Sequence, residues 1–237
     1  MHYWNKNNFA GLNAIGEQYK SKEGYERFAS YCLLKEKGLK KQANQEIEEF
    51  VSEIKKGSKD QRRKLAEELT TLWFWNQEIH QLISHPLHQF IYQTLEEWCD
   101  SDPGNAVVHR WFACMGGGLK HFEEAVLLDP ADEISATRLI QAHLSDIDFQ
   151  THHLAESRLI GSVEELKASL KEANRYVNMI KTDELKHDVS KELDYYFKLV
   201  SAWEQYNSKE HIETFSEWSI AKGYDFKFSK IFYYHEK

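Results

Sequence analysis

The chain has 237 residues, a formal net charge of −8, and 41% hydrophobic and 14% aromatic residues. That apolar content is enough for a packed core and excludes a disordered chain. No apolar run reaches the ~18–20 residues needed to cross a bilayer. Three prolines and eleven glycines are too sparse for a β-protein that must turn every roughly ten residues.

In chain order, residues 1–16 (with Tyr3, Trp4, Phe9 and several Asn) read as an irregular arm that docks its aromatics on the body. From Glu17 the spacing turns helical: Tyr25, Phe28, Ala29, Cys32 and Leu33 form an apolar stripe that ends at Gly38. Ala43, Ile47, Phe50, Val51 and Ile54 place a second helix over 40–56, stopped by Gly57. A third begins near Ser58–Asp60 and carries Leu65, Leu69, Leu72 and Trp73 toward Ile79. His85-Pro86 opens the next, because proline suits the first helical position and breaks the interior.

Asp102-Pro103 and Asp129-Pro130 each read as helix starts, with Asp129 as an N-cap. Between them Gly116-Gly117-Gly118 breaks the chain into a tight helix–helix turn, and a short helix follows from Leu119 to Leu128. Ser145–Asp148 reads as a break between two helices, the second ending at Gly161. Ser162-Val-Glu-Glu165 is a capping box that opens an amphipathic helix, and Thr182 caps the one after it. Ser208 to Ala221 is the last helix, and residues 224–237 form an aromatic tail of alternating character. The expected fold is all-α: about eleven helices stacked as antiparallel hairpins in one repeat domain over 17–223.

The segment Gly118-Leu-Lys-His-Phe122-Glu-Glu-Ala125-Val-Leu-Leu-Asp-Pro130 resembles the second helix of a tetratricopeptide repeat, with its small residue, aromatic, Ala and Pro at fixed offsets. In that register His109 and His143 fall at the same place in successive units, where the family usually has Tyr, and Leu139 matches an expected Leu. The match covers roughly forty residues. The preceding helix has Asp102 and Asn105 where the family has Trp and Leu, and the two Asp-Pro pairs stand closer together than one full repeat. The resemblance implies a curved α-α superhelix whose inner surface binds peptides or proteins without catalysis.

Charge is unevenly spread. Residues 1–70 carry fourteen Lys/Arg against eleven Asp/Glu, residues 71–160 four against thirteen, and residues 161–237 twelve against fourteen. Eight of the twelve histidines fall in the acidic middle, which argues against nucleic acid as a partner there. Three cysteines without C-x-x-C spacing suit reduced thiols, and the N-terminus lacks a signal-peptide pattern, so a cytoplasmic location is expected.

The leading expectation is a non-enzymatic protein- or peptide-binding scaffold without a cofactor, for a partner of basic character. His109, Arg110, Trp111, His121 and His143 would line its groove, since aromatics and Arg anchor binding. The alternative is a metal-dependent enzyme or sensor holding zinc or iron. His121 and Glu124, and likewise His143 and Asp146, share a helix face at i, i+3, and His152 lies four after Asp148. A third possibility is self-association into a homo-oligomer. A P-loop is excluded at the glycine triplet, since no Ser or Thr follows Lys120. Cys114 reads as a small core residue in an acidic setting that gives a thiolate no support.

Overall fold

The computed structural model of the chain describes residues 4–228. The described residues form an all-α fold of eleven helices with no strand. No helix among them is long and apolar enough to cross a membrane. The chain divides into two compact units, Met1–Leu128 and Asp129–Lys237, rather than the single domain expected over 17–223.

The first unit holds α1 (Trp4–Tyr19), α2 (Glu26–Glu36), α3 (Lys40–Lys55), α4 (Lys59–Phe74), α5 (His85–Ser101), α6 (Ala106–Phe112) and α7 (Leu119–Leu128). α1 packs on α2 and α2 on α3, while α5 packs against α3, α4 and α6, and α6 pairs with α7. The core is rich in rings: Tyr19, Phe28 and Phe50 are buried side by side, with Phe28 5.6 Å from Tyr19 and 5.8 Å from Phe50. Of the expected irregular arm, residues 1–3 lie outside the described residues, and residues 4–16 are instead the body of α1. Its glycines do not break it, because they lie where the helix is pressed against neighbours. A Cβ on Gly11 would sit 2.4 Å from Ile79, and one on Gly16 2.6 Å from Leu33.

The second unit holds α8 (Glu133–Thr151), α9 (Val163–Val177), α10 (Asp183–Asn207) and α11 (Phe215–Ala221), with a single 3-10 turn at Leu154–Glu156. α8 packs on α9, α9 on α10 and α10 on α11. The expected break at 145–148 is absent. Ser145, Asp146 and Asp148 are the exposed face of one continuous helix, and Leu144, Ile147 and Thr151 are its buried face. The capping box at Ser162 and Glu165 forms as read, and a second closes at Thr214 and Glu217. The tail is described only to Phe228, without regular structure, and the rest of that segment lies outside the described residues.

Both Asp-Pro pairs form turns, and neither aspartate is the N-cap. In each, the aspartate carbonyl accepts from the backbone N–H three residues on: Asn105 to Asp102 at 3.2 Å, Asp132 to Asp129 at 3.0 Å. These are β-turns with proline at the second position. The caps are the residues that end the turns. Asn105 accepts from the N–H groups of Val107 and Val108, and Asp132 from that of Ser135. The sequences Asp-Pro-Gly-Asn and Asp-Pro-Ala-Asp are thus the same device used twice.

Candidate functional site

In the first unit three helices bring together a thiol and two imidazoles. Cys99 comes from the last turns of α5, His109 from α6 and His121 from the first turn of α7. α6 is held in place by the Asn105 cap, and α7 follows a kinked segment, Ala113–Gly117, with Gly116 at φ +103° and Gly118 at φ +98°. This is the tight glycine turn expected from the triplet. Gly117 lies where a Cβ would strike the Phe112 ring at 2.6 Å, so the chain reverses closely around that ring.

The His109 ring is buried and fixed at both nitrogens. Its Nε2 lies 3.0 Å from the Pro103 carbonyl, which can only accept, so Nε2 carries the proton. Nδ1 of the neutral ring is then an acceptor, and it faces His121 Nδ1 at 2.8 Å. The two rings stack with centroids 5.1 Å apart, and Phe112 meets His121 edge-on at 4.7 Å. One ligand atom from each of Cys99, His109 and His121 lies within 4.8 Å of the others. Burial, with His109 second, holds the His121 imidazole below its ordinary pKa. Burial, reinforced by Asp100, pushes the Cys99 thiol up to about 12.

These positions change the expected roles. His109 and Trp111 are 6% and 3% exposed, so neither presents a surface to a partner. Arg110 lies over the Trp111 ring at 4.5 Å, a pairing inside the unit. The expected carboxylate–imidazole metal residues are divided between the two units. His121 and Glu124 belong to the first unit, while His143, Asp146 and His152 belong to the second. There His143 stacks on Tyr176 at 6.1 Å, and Asp146 accepts from Gln150 at 2.8 Å. His152 Nδ1 is hydrogen-bonded to the carbonyl of Phe149. Among the described residues, the trio of His, Cys or acid side chains within reach of one ion is Cys99, His109 and His121.

The second unit carries an open cavity of about 520 Å³ over one face of α10. Asp188, Lys191, Glu192 and Tyr195 line it at helical spacing, with Tyr196 and Leu199 deeper and Asp148, Asp225 and Lys227 on the other walls. Four carboxylates therefore face two ammonium groups. The Tyr196 hydroxyl donates to Asp148 at 3.0 Å, and burial together with that carboxylate keeps the phenol protonated well above its usual range. Tyr195 stands edge-on to Tyr196 at 5.2 Å, and its hydroxyl accepts from the Lys227 N–H at 3.2 Å.

Sequence reasoning names His109 and His121 but singles out neither Cys99 nor the cavity. Cys99 reads as another apolar position of α5, because its partners lie on the next two helices. The cavity face of α10 does leave a signal, as acids and a tyrosine recur at i, i+4 and i+7 from Asp188. No family model, curated protein or solved structure matches the chain.

Proposed function

We propose that the chain is a non-enzymatic helical scaffold that captures a basic segment of a partner protein, with the cavity over α10 as its binding site. The observation that carries this reading is the pairing of a carboxylate-rich lining with tyrosine walls. Carboxylates engage a guanidinium through paired charge-assisted hydrogen bonds, and aromatic faces attract the same cation. The surplus of acid also speeds encounter with a basic partner and makes that encounter salt-sensitive.

The repeat-type reading is part of the proposal. The pairing of α6 with α7 supports it, with Phe122 and Ala125 buried at the offsets a tetratricopeptide hairpin uses. The three free cysteines suit a reducing cytoplasm.

Fluorescence anisotropy with an arginine-rich peptide and a glutamate-rich peptide of equal length tests the reading. The arginine peptide binds, and its affinity falls as salt rises. Asp188→Lys with Glu192→Lys weakens it at least tenfold. Equal affinity for the two peptides, or no binding at low salt, overturns the proposal.

A further inference from the structure

We propose that Cys99 Sγ, His109 Nδ1 and His121 Nδ1 bind one zinc ion, with water in the fourth position. Zinc takes thiolate and imidazole ligands in tetrahedral sites, at about 2.3 Å to sulfur and about 2.0 Å to nitrogen. Those bond lengths place the ligand atoms ~3.3–3.7 Å from one another. Here they already lie within 4.8 Å, and the two Nδ1 atoms stand at 2.8 Å. Opening the nitrogens by about half an ångström and bringing the sulfur to bonding distance completes three corners of the tetrahedron.

The environment is arranged as a zinc site requires. A zinc-ligating histidine usually donates its other ring N–H to a carbonyl or carboxylate, which fixes the tautomer and aims the free lone pair. His109 has that arrangement, with Nε2–H held by the Pro103 carbonyl and Nδ1 turned toward the other two groups. The carbonyl comes from the Asp-Pro turn that precedes α6, so the turn both starts the helix and sets the ligand. Cys99 and His109 are buried and His121 is partly exposed, which leaves an entry path on one side.

On binding, the Cys99 thiol proton is released to solvent and the sulfur lone pair becomes the metal bond. The His121 Nδ1 proton moves through solvent to Nε2, so that ring stays neutral. No electron transfer is involved. Because the ligands come from α5, α6 and α7, the ion ties three helices of one unit together and stabilises the folded state by mass action.

The test uses the full chain, stripped with a chelator and titrated with zinc under reducing conditions. One zinc binds per chain, seen by elemental analysis after gel filtration, and Tm rises with stoichiometric zinc. Cobalt(II) in its place gives a thiolate-to-metal charge-transfer band. Cys99→Ser abolishes that band, and Cys99→Ser and His121→Gln each weaken zinc at least 100-fold. Cys114→Ser and the Asp188→Lys, Glu192→Lys double variant retain full binding. Circular dichroism confirms that each variant is folded; if Cys99→Ser is not, the partly exposed His121→Gln decides. Substoichiometric zinc in the wild type, a cobalt adduct without the sulfur band, or His121→Gln binding as the wild type would overturn the proposal.

Discussion

Glu133, in the first turn of α8, accepts from both the backbone N–H of Thr182 (2.9 Å) and its hydroxyl (2.8 Å). The Lys181 N–H points at the same carboxylate. Thr182 is the N-cap of α10, yet its own side chain makes no capping bond. A carboxylate from another helix serves the exposed N–H end instead and complements the positive end of the α10 dipole.

Two outcomes are expected from this pair. Glu133→Ala lowers stability by roughly 1 kcal/mol, the typical worth of a lost cap. The bonds from Thr182, then Lys181, hold the Glu133 carboxyl below its ordinary 4.5. A depressed carboxylate contributes stability above the unfolded pKa and loses it as pH falls through the folded one. The gap in Tm between wild type and Glu133→Gln is therefore full at neutral pH and closes below pH 4.5. A gap that stays constant down to strong acid would contradict this assignment.

Glu68 of α4 is the hub that joins α4 to α1 and α2. It accepts from Tyr25 at 2.7 Å, from Tyr19 at 3.2 Å and from Lys22. Burial raises its carboxyl, but the bonds from Lys22 and Tyr25 outweigh this and leave it below the ordinary value. Burial and Glu68 push Tyr19 up to about 12 and Tyr25 higher still. Such phenols contribute stability that is complete below pH ~10 and is lost as pH rises. Ultraviolet titration should show these tyrosines ionising only when the fold opens, and earlier in Glu68→Gln. Glu68→Ala is expected to cost about 2 kcal/mol by urea unfolding.

The repeated Asp-Pro turn makes a comparison possible within one molecule. Asn105→Ala and Asp132→Ala each remove a cap and should cost ~1 kcal/mol. Asp129→Ala removes only an exposed bond to the Ala131 N–H at 2.9 Å and should cost roughly half as much. Urea unfolding of the three variants checks the order. If Asp129→Ala proved the costliest, the capping role would pass back to the proline-flanking residue.

Gly11→Ala tests the seating of α1. A methyl there meets Ile79, so the helix has to shift, at about 1–3 kcal/mol despite alanine's higher helix propensity. Pairing it with Ile79→Val should restore part of the loss. Thermal unfolding of both variants reads the result.

What can be read in the sequence is local. The stripe Leu166, Leu170, Ala173, Val177 and the box that opens it depend on residues within a turn of one another, and both appear where expected. The last helix, expected from Ser208, begins at Phe215, and two other misplaced boundaries escape the sequence for one reason: the deciding contact is made in the folded chain. The polar, Asn-rich start reads as irregular until Ile79 and Leu33 are known to press on Gly11 and Gly16. Asp146 and Asp148 are a loop signal until Ile147 is known to be buried. The missed helix and the false break offset each other, so the expected number of helices agrees with the structure although several of the segments do not. The same limit hides the thiol–imidazole trio, whose members come from three successive helices and follow no periodic rule.

The junction at Leu128 and Asp129 separates the two candidate sites. The cation-coordinating trio ends at position 121 and the tyrosine-walled hollow begins at 148, so the two share no side chain. Either set of residues can therefore be altered without touching the other, and a chain altered in both places shows whether the two defects sum.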